Sequence, residues 1–268
     1  MHEALRKTQT LIDWIDAARA AAMHATLARP GAAPGDGDPL PPFWHQAYFW
    51  TPLPPDRLGA DGHPKTGLGL IPDLGLPQRM WAGGRLEFHA PLRIGVAAEK
   101  TTTVQAIREK TGRSGRLGFV TLRHDIRQNG ALAVSEWQDI VYRDPPADRM
   151  AIAPPKARSD EALAEERAFS TTLLFRYSAL TFNGHRIHYD ADYSREVEGY
   201  SGLVVHGPLL AQLLMHLAET RDGPLARFSF RATSALMHHE TATFCAAKDG
   251  ALWVRGPDGR QCMTAQAN

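Results

Sequence analysis

Side chains that can move or orient protons are concentrated in one short segment, Phe182–Asp190, which reads FNGHRIHYD. Four of the twelve histidines, His185, His188, His206 and His216, fall between positions 185 and 216. An imidazole titrates near neutral pH, so it can serve as a general acid or a general base. This spacing indicates proton-transfer chemistry centred on the segment.

Two simpler interpretations of these histidines are a metal site and isolated loop histidines. His185 and His188 are three residues apart, but neither a nearby cysteine nor an acidic third ligand completes a metal-binding set. We therefore predict no metal. Isolated surface histidines would be the default interpretation if the segment stood alone, and the flanking sequence argues that it does not.

A helix follows the segment directly. Val205–Glu219 carries an apolar stripe, Pro208 suits the first helical turn, and Gly223 marks the end. The stripe consists of Leu209, Leu210, Leu213, Leu214 and Leu217. Its start, His206-Gly207-Pro208, lies close in sequence to the histidine-rich segment, and an ordinary helix start is the alternative interpretation of these residues.

The N-terminal half contains a predicted helix followed by strands. Thr10–Ala28 is rich in alanine, with apolar residues near helical spacing. Gly118–Arg127 alternates apolar and polar residues, Asn129-Gly130 is a favoured dipeptide for a tight hairpin, and Ala131–Tyr142 returns as a strand. We therefore predict a helix and an antiparallel sheet in this half.

The C-terminal half repeats this plan. Strands begin at Arg227 and end on a second hairpin signal, Asp258-Gly259. The segments Arg85–Phe88 and Arg227–Phe230 both begin a strand with Arg-x-x-Phe. This similarity is weak by itself. Two copies of a helix wrapped by an antiparallel sheet would form an α+β pseudo-dimer.

Proline-rich and glycine-rich stretches separate these elements. Pro30–Pro42 holds five prolines and three glycines, and Pro52–Pro77 predicts a long covering loop over a site. A polar, proline-containing stretch after Asp144 indicates a linker. We predict an N-terminal domain over 1–144, a linker over 145–168 and a C-terminal domain over 169–268.

Composition excludes several classes of partner. The net charge of +1 and the absence of a Lys/Arg run argue against nucleic acid. No stretch approaches eighteen apolar residues, and Met1–Thr10 lacks a signal core. The two cysteines, Cys245 and Cys262, imply no disulfide framework. A cytoplasmic protein that contacts no membrane is expected.

The C-terminal segments resemble a known family. Arg176–Thr181, Phe182–Asp190 and Val197–Leu209 are together similar to the hydroxyacyl-thioester dehydratase type 2 branch of the MaoC-like hotdog family, which includes hydratases of mesaconyl-CoA and itaconyl-CoA. The resemblance covers about forty residues and implies a double hotdog fold. The N-terminal half resembles the degenerate hotdog that precedes such domains, much less distinctly.

The wider family's motif reads Asp-x-Asn-Pro-x-His, and here the corresponding positions are Asn183, His185, Arg186 and His188. The histidine is retained, but asparagine replaces the aspartate. This departure fits the type 2 branch and leaves the role of the aspartate unassigned.

The resemblance implies a hydro-lyase without a cofactor, acting on a 2-enoyl-CoA or 3-hydroxyacyl-CoA thioester. Such chemistry needs a base, an acid and a stabilised enolate oxygen. We assign His188 as the base. His185 is either a second proton carrier or sets the tautomer of His188. Asn183 either orients the water or is a structural turn residue.

The start of the predicted helix suits the oxyanion, because its backbone N–H groups are unpaired and Gly207 allows close approach. We predict Gly207 as the oxyanion-hole residue. Substrate-binding roles are predicted for Arg176, Tyr200, Val205 and His206.

Two alternatives stay open, a hotdog thioesterase and a non-catalytic subunit that binds acyl thioesters. A thioesterase normally needs a carboxylate or a nucleophile to direct water at the carbonyl, and the Phe-Asn-x-His-x-x-His run favours hydration instead. The sequence also leaves open the acyl group, with Arg176, Arg186 or Arg231 as candidate partners for a substrate carboxylate. The choice between CoA and an acyl carrier protein, and a homodimeric assembly, are open too.

Overall fold

The computed structural model describes residues 3–112, 115–144 and 153–268. These residues form an α+β structure with ten strands in one antiparallel sheet, in agreement with the predicted class. The helices are α1 (Ala17–Thr26), α2 (Thr171–Leu180) and α3 (Gly207–Asp222). The strands are β1 (Thr8–Trp14), β2 (Gln78–Phe88), β3 (Ala97–Gly112), β4 (Gly115–Gln128), β5 (Ala131–Arg143), β6 (Leu163–Arg167), β7 (Arg227–Ala232), β8 (Ala242–Ala246), β9 (Ala251–Arg255) and β10 (Gln261–Ala267).

The sheet consists of two halves with the same strand order. Across the sheet the order is β1-β3-β4-β5-β2-β7-β10-β9-β8-β6. Strands β1 to β5 are therefore arranged first-third-fourth-fifth-second, and β6 to β10 repeat that arrangement. The repeat inferred from the sequence is thus present in the topology.

The two halves join through their second strands, β2 and β7. Glu87 pairs with Arg227, and Arg85 pairs with Ser229. If Arg85 corresponds to Arg227, then Glu87 corresponds to Ser229. The two pairs are then related by a local two-fold axis that passes between Leu86 and Phe228. The shared Arg-x-x-Phe start, weak as a sequence signal, therefore marks the seam between the halves.

Helix α3 occupies the centre of the C-terminal half. It packs against strands β7 to β10, and the leucines of its predicted stripe are buried or nearly so. Gly223 ends the helix with φ of 86°, a conformation that favours glycine. Between α1 and β2 the N-terminal half forms only two short 3₁₀ helices, Trp44–Ala47 and Pro55–Arg57.

The predicted hairpin of the N-terminal half is confirmed. Asn129 and Gly130 connect β4 to β5 with φ of 50° and 80°, which are values of a type I′ turn. The Asp258-Gly259 turn likewise connects β9 to β10.

The predicted helix over Thr10–Ala28 is wrong at its start. Thr8–Trp14 is strand β1, which pairs with β3, and the helix begins at Ala17. Asp16 caps the helix by accepting a hydrogen bond from the backbone N–H of Arg19. The threonine, isoleucine and tryptophan of this segment favour a strand, and the available edge of β3 decides between the two structures.

The predicted linker also contains regular structure. Residues 145–152 lie outside the described part of the chain, but Leu163–Arg167 within the predicted linker forms the edge strand β6. Its residues are mostly exposed, so the apolar alternation that would have indicated a strand is missing.

The proline-rich stretches carry no long helix or strand, as predicted. Pro39 forms an isolated bridge to Arg93, and Pro52–Pro77 folds as a loop with a bridge between Leu58 and Pro64. In the described part of the chain, no helix combines the length and the hydropathy that membrane crossing requires.

The close packing of the seam generates a stability prediction. A Cβ atom on Gly84 would lie 2.8 Å from the carbonyl oxygen of Trp137 and 3.0 Å from the ring of Phe230. Gly84→Ala should therefore lower the free energy of unfolding by about 1–3 kcal/mol, measured by denaturant unfolding. Gly35→Ala is the control because no atom lies within 4 Å of its Cβ position. Equal stability of the two variants would contradict a tightly packed seam.

Candidate active site

His188 lies at the end of the 3₁₀ helix Arg186–His188 and is buried. Its Nδ1 atom is 2.7 Å from the carbonyl oxygen of Val204. A carbonyl oxygen can only accept, so Nδ1 carries the hydrogen and donates it. In the neutral ring Nε2 then has the free lone pair, which is the form a general base needs.

Burial keeps this imidazole neutral. Desolvation lowers the pKa of His188 to about 3, and the neighbouring His185 contributes in the same direction, whereas the hydrogen bond to Val204 acts in the opposite direction. The sequence predicts an imidazole that titrates near working pH. The buried ring instead stays unprotonated well below neutral pH.

A second buried imidazole stacks on the first. The rings of His188 and His206 are 3.7 Å apart between centroids and nearly parallel, at 21°. His206 Nε2 lies 2.8 Å from the hydroxyl oxygen of Ser178 on α2. Burial holds the pKa of His206 well below its usual value. Helix α2 and the start of α3 thus fix the ring against which His188 packs.

The start of α3 adjoins this pair. His206 is the N-cap residue and Gly207 the first helical residue, so the first backbone N–H groups have no partner within the helix. A Cβ atom on Gly207 would meet only the carbonyl oxygen of Trp81, at 4.0 Å. Neither packing nor a positive φ requires glycine here, so the role of Gly207 in an oxyanion hole stays a prediction.

Asn183 occupies the turn between α2 and the 3₁₀ helix. Its Oδ1 atom accepts a hydrogen bond from the backbone N–H of His185 at 3.1 Å. This bond is the kind expected of a structural turn residue. Asn183 also lines the cavity beside the histidines, so its amide group is available to a ligand. The geometry is compatible with both roles, and the water-orienting role stays a prediction.

His185 contacts residues that the sequence analysis did not connect with it. Its ring lies edge-on to His188 at 5.4 Å and 4.5 Å from the ring of His63, in the covering loop. The side-chain ligand atoms of Asp61, His63 and His185 all lie within 4.8 Å of one another. Two imidazoles and a carboxylate can hold a divalent cation or act as a proton-handling group. The prediction that no metal is bound took into account only residues close in sequence to His185 and His188.

A cavity of about 480 Å³ runs between the two halves. The N-terminal half contributes Gln46, His63 and Lys100 to its lining, and the C-terminal half contributes Ser178 and Asn183. His188, His206 and Gly207 are not lining residues, but Ser178 contacts His206 directly. The cavity thus reaches the layer of side chains that covers the histidine pair.

Lys100 is the one Lys, Arg, Asp or Glu among the described lining residues. It makes no ion pair within 4 Å in the described part of the chain, and its Nζ atom lies 5.1 Å from the centre of the Phe49 ring. Burial lowers its pKa. A partly buried ammonium without a close carboxylate favours an anionic ligand.

The nearest buried carboxylate is already paired. Glu136 accepts hydrogen bonds from His45 Nε2 at 2.8 Å and from Gln46 Nε2 at 2.9 Å. Burial by itself would raise the pKa of Glu136, but the hydrogen bond from His45 and the charges of His45, His124 and Lys100 together outweigh that effect, and the pKa is lowered. Lys100 interacts with Glu136 and Asp13 through space, but no carboxylate lies within ion-pair distance of it in the described part of the chain.

The other predicted substrate-binding residues lie apart from the cavity lining. Arg176 is on the exposed face of α2 and Arg231 is exposed on β7. Tyr200 packs in a small apolar cluster under the 3₁₀ helix, and Val205 is buried with its N–H bonded to Leu236. Their roles stay predictions. Arg186 forms an ion pair with Asp190 at 2.7 Å. This candidate partner for a substrate carboxylate is therefore already paired.

The groups that come from distant segments are not predicted by the sequence. Val204 acts through its backbone carbonyl, which carries no sequence signal. Asp61, His63 and Lys100 lie more than eighty residues before His185. The covering loop was the one available signal, because a long loop of that kind often lies over a site.

Comparison with known proteins identifies similar chains. The family model described as hydroxyacyl-thioester dehydratase type 2 matches residues 43–238. A curated relative, mesaconyl-C(4)-CoA hydratase of Chloroflexus aurantiacus, is 44% identical over 264 residues, which cover 97% of this chain and 94% of that protein.

Solved structures show the same fold. HtdX of Mycobacterium tuberculosis matches with a TM-score of 0.68 and 18% identity, covering 97% of this chain and 99% of that one. A second protein of that organism, described as a double hotdog fold, matches with a TM-score of 0.58 and 14% identity, covering 98% and 95% of the two chains. The predicted double hotdog fold is confirmed.

The buried imidazoles generate a prediction on acid stability. Burial lowers the pKa of His124 to about 4 and those of His188 and His216 to about 3, whereas an unfolded histidine titrates near 6.5. Between these values the unfolded state binds more protons, so stability falls as pH falls. From pH 7.5 to 5.5 the three groups together should remove about 4 kcal/mol from the free energy of unfolding.

Denaturant unfolding at both pH values measures this loss. His216→Asn should reduce this loss by about 1 kcal/mol, the contribution of one such histidine. An unfolding free energy that is equal at pH 7.5 and 5.5 would contradict the burial of neutral imidazoles.

Proposed function

Because this chain belongs to the hydroxyacyl-thioester dehydratase type 2 family, we propose that it catalyses the reversible hydration of a 2-enoyl-CoA thioester to the 3-hydroxyacyl-CoA. The observation that carries the proposal is the bond from His188 Nδ1 to the Val204 carbonyl, which leaves Nε2 free as the base. The stacked His206 places this base next to the start of α3.

The groups account for each bond change in the reaction. His188 Nε2 takes a proton from water, and the oxygen bonds to the β-carbon of the enoyl group. The displaced electron pair moves to the thioester oxygen, where the N–H of Gly207 stabilises the enolate. The imidazolium of His188 then delivers its proton to the α-carbon, which restores the neutral base. The reverse sequence removes water.

Two observations favour this reaction over thioester hydrolysis. Among the described residues no carboxylate lines the cavity where a thioester would bind; that of Asp61 adjoins the rings of His63 and His185 instead. His188 has a fixed tautomer with a free Nε2 lone pair, which can take a proton from water. A non-catalytic thioester-binding subunit would have no need for a base of fixed tautomer.

For the substrate we propose a CoA thioester whose acyl group carries a free carboxylate. The curated relative at 44% identity is named a mesaconyl-C(4)-CoA hydratase. Lys100, the one charged group lining the described cavity, has no close ion-pair partner and suits such an anion. A homodimer and a cytoplasmic location remain predictions from the sequence.

The base is tested by His188→Ala. We expect kcat for hydration of mesaconyl-CoA to fall at least about a hundredfold, as for loss of a general base. The circular dichroism spectrum should be unchanged. His89→Ala is the control, because His89 lies on the exposed part of the chain after β2. Near-normal turnover by a folded His188→Ala variant would remove His188 from the mechanism.

The substrate carboxylate is tested by Lys100→Met, which keeps the length of the apolar stem. A charge-assisted hydrogen bond contributes about 1.5–3 kcal/mol, so KM for mesaconyl-CoA should rise about tenfold or more. KM for crotonyl-CoA, which lacks the carboxylate, should stay unchanged. Lys110→Met on the exposed end of β3 is the matched control. An equal rise for both substrates would assign the lysine to the phosphates of CoA instead.

A further inference from the structure

Arg186 of the histidine-rich segment forms two hydrogen bonds with backbone carbonyl groups of the covering loop, Pro52–Pro77. The N–H of Arg186 donates to the carbonyl oxygen of Asp61 at 2.9 Å, and Arg186 Nη1 donates to the carbonyl oxygen of Ala60 at 3.1 Å. Both bonds join residues more than 120 positions apart. The loop therefore has a defined place beside the 3₁₀ helix that carries His188.

Two facing glycines make this contact close. Gly62 has φ of 86°, and a Cβ atom on it would lie 1.9 Å from the carbonyl oxygen of Gly184. A Cβ atom on Gly184 would lie 2.6 Å from the carbonyl oxygen of Gly62. No other residue fits at either position without displacing the backbone. The contact brings the side chains on either side of Gly62 to the histidines.

One of those side chains is a carboxylate. A carboxylate oxygen of Asp61 lies within 4.8 Å of a ring nitrogen of His185 and of His63. The backbone N–H of His63 donates to Asp61 Oδ1 at 3.0 Å, which fixes the orientation of the carboxylate. The other nearby carboxylate, Asp190, is paired with Arg186 at 2.7 Å.

We propose that Asp61 supplies from the covering loop the carboxylate that the wider family carries at the position of Asn183, and that it acts as a positioning residue through His185. This inference rests on the proposed function. His185 lies edge-on to His188 and is the link between the carboxylate and the base.

The physical effect is stabilisation of developing positive charge. When His188 takes a proton from water, the imidazole cluster becomes cationic. The Asp61 carboxylate, within 4.8 Å of a ring nitrogen of His185, favours this charged form. The other groups facing His185 are the neutral rings of His63 and His188 and the guanidinium of Arg79, which opposes the carboxylate. Asp61 is thus the negative group that offsets Arg79.

The first test is Asp61→Asn. The amide keeps an oxygen to accept from the N–H of His63 and leaves the backbone contacts intact, so only the charge is lost. We expect kcat for mesaconyl-CoA to fall about tenfold to a hundredfold with KM changed less than twofold. Asp73→Asn is the control, because Asp73 belongs to the same loop and bonds only Thr66 and Gly75 within it. A wild-type kcat for Asp61→Asn would overturn the proposal.

The second test moves the carboxylate. In the double variant Asp61→Asn with Asn183→Asp, the charge returns at the position that the wider family uses. We expect the double variant to recover at least tenfold of the kcat lost in Asp61→Asn, which a loop-packing role would not produce. A double variant no faster than Asp61→Asn would overturn the proposal.

Two further measurements separate the alternatives. Wild-type kcat should be unchanged by dialysis against EDTA. A loss that added Zn²⁺ reverses would instead assign Asp61, His63 and His185 to a metal site and overturn the positioning role. Absence of hydration by the wild-type protein with every enoyl-CoA tested would refute the proposed function itself, whereas hydration with an unaffected Asp61→Asn variant refutes only this inference.

Discussion

The pairing of β2 with β7 is the constraint on which the arrangement of the site depends. It joins two five-stranded halves into one continuous sheet, so segments that precede β2 are held against the C-terminal half. The covering loop lies directly before β2 and the cavity lies between the halves. The seam, together with the hydrogen bond from Arg186 to the Asp61 carbonyl, fixes Asp61 and His63 relative to His188. The glycines at the seam, Gly83 and Gly84, allow the close approach of β7.

Desolvation is the second organising effect. Burial lowers the pKa values of His185, His188 and His206 together, most completely for the buried His188 and His206, so these imidazoles are neutral near pH 7. A neutral stacked pair of rings costs less to bury than a charged one. The same burial makes any proton that arrives costly, so a compensating negative charge nearby has a large effect. The sequence signals the histidines, but their degree of burial is a property of the tertiary structure.

Much of the fold follows from local patterns in the sequence. The leucine stripe and Gly223 predict α3, and Asn129-Gly130 predicts the central hairpin, because each signal is decided by neighbouring residues. The start of the first predicted helix is wrong because Thr8–Trp14 pairs with a strand some ninety residues away. Strand β6 was not predicted, because its mostly exposed residues show little apolar alternation and its partner strand, β8, lies far along the chain. Contacts between distant segments decide both cases.

The same distinction applies to the candidate site: residues within one segment are predictable from the sequence, and residues brought together by folding are not. His185, His188, His206 and Gly207 follow from a contiguous motif and the helix after it. The tautomer of His188 depends on the carbonyl of Val204, which any residue type could provide. The groups from the N-terminal half depend on how the chain folds back, and no spacing rule connects residue 61 with residue 185. The sequence therefore predicts only those site residues that lie within one contiguous segment.

The local two-fold axis between Leu86 and Phe228 has an evolutionary consequence. When two identical chains pair across such an axis, every substitution appears on both sides, so a gain at one position is always accompanied by its copy at the other. Here the equivalent positions are encoded separately and already differ, with leucine on one side and phenylalanine on the other. Each half can thus change independently. One half has a long central helix and the other has proline-rich loops at the corresponding place, a difference that a symmetric dimer of identical chains could not have.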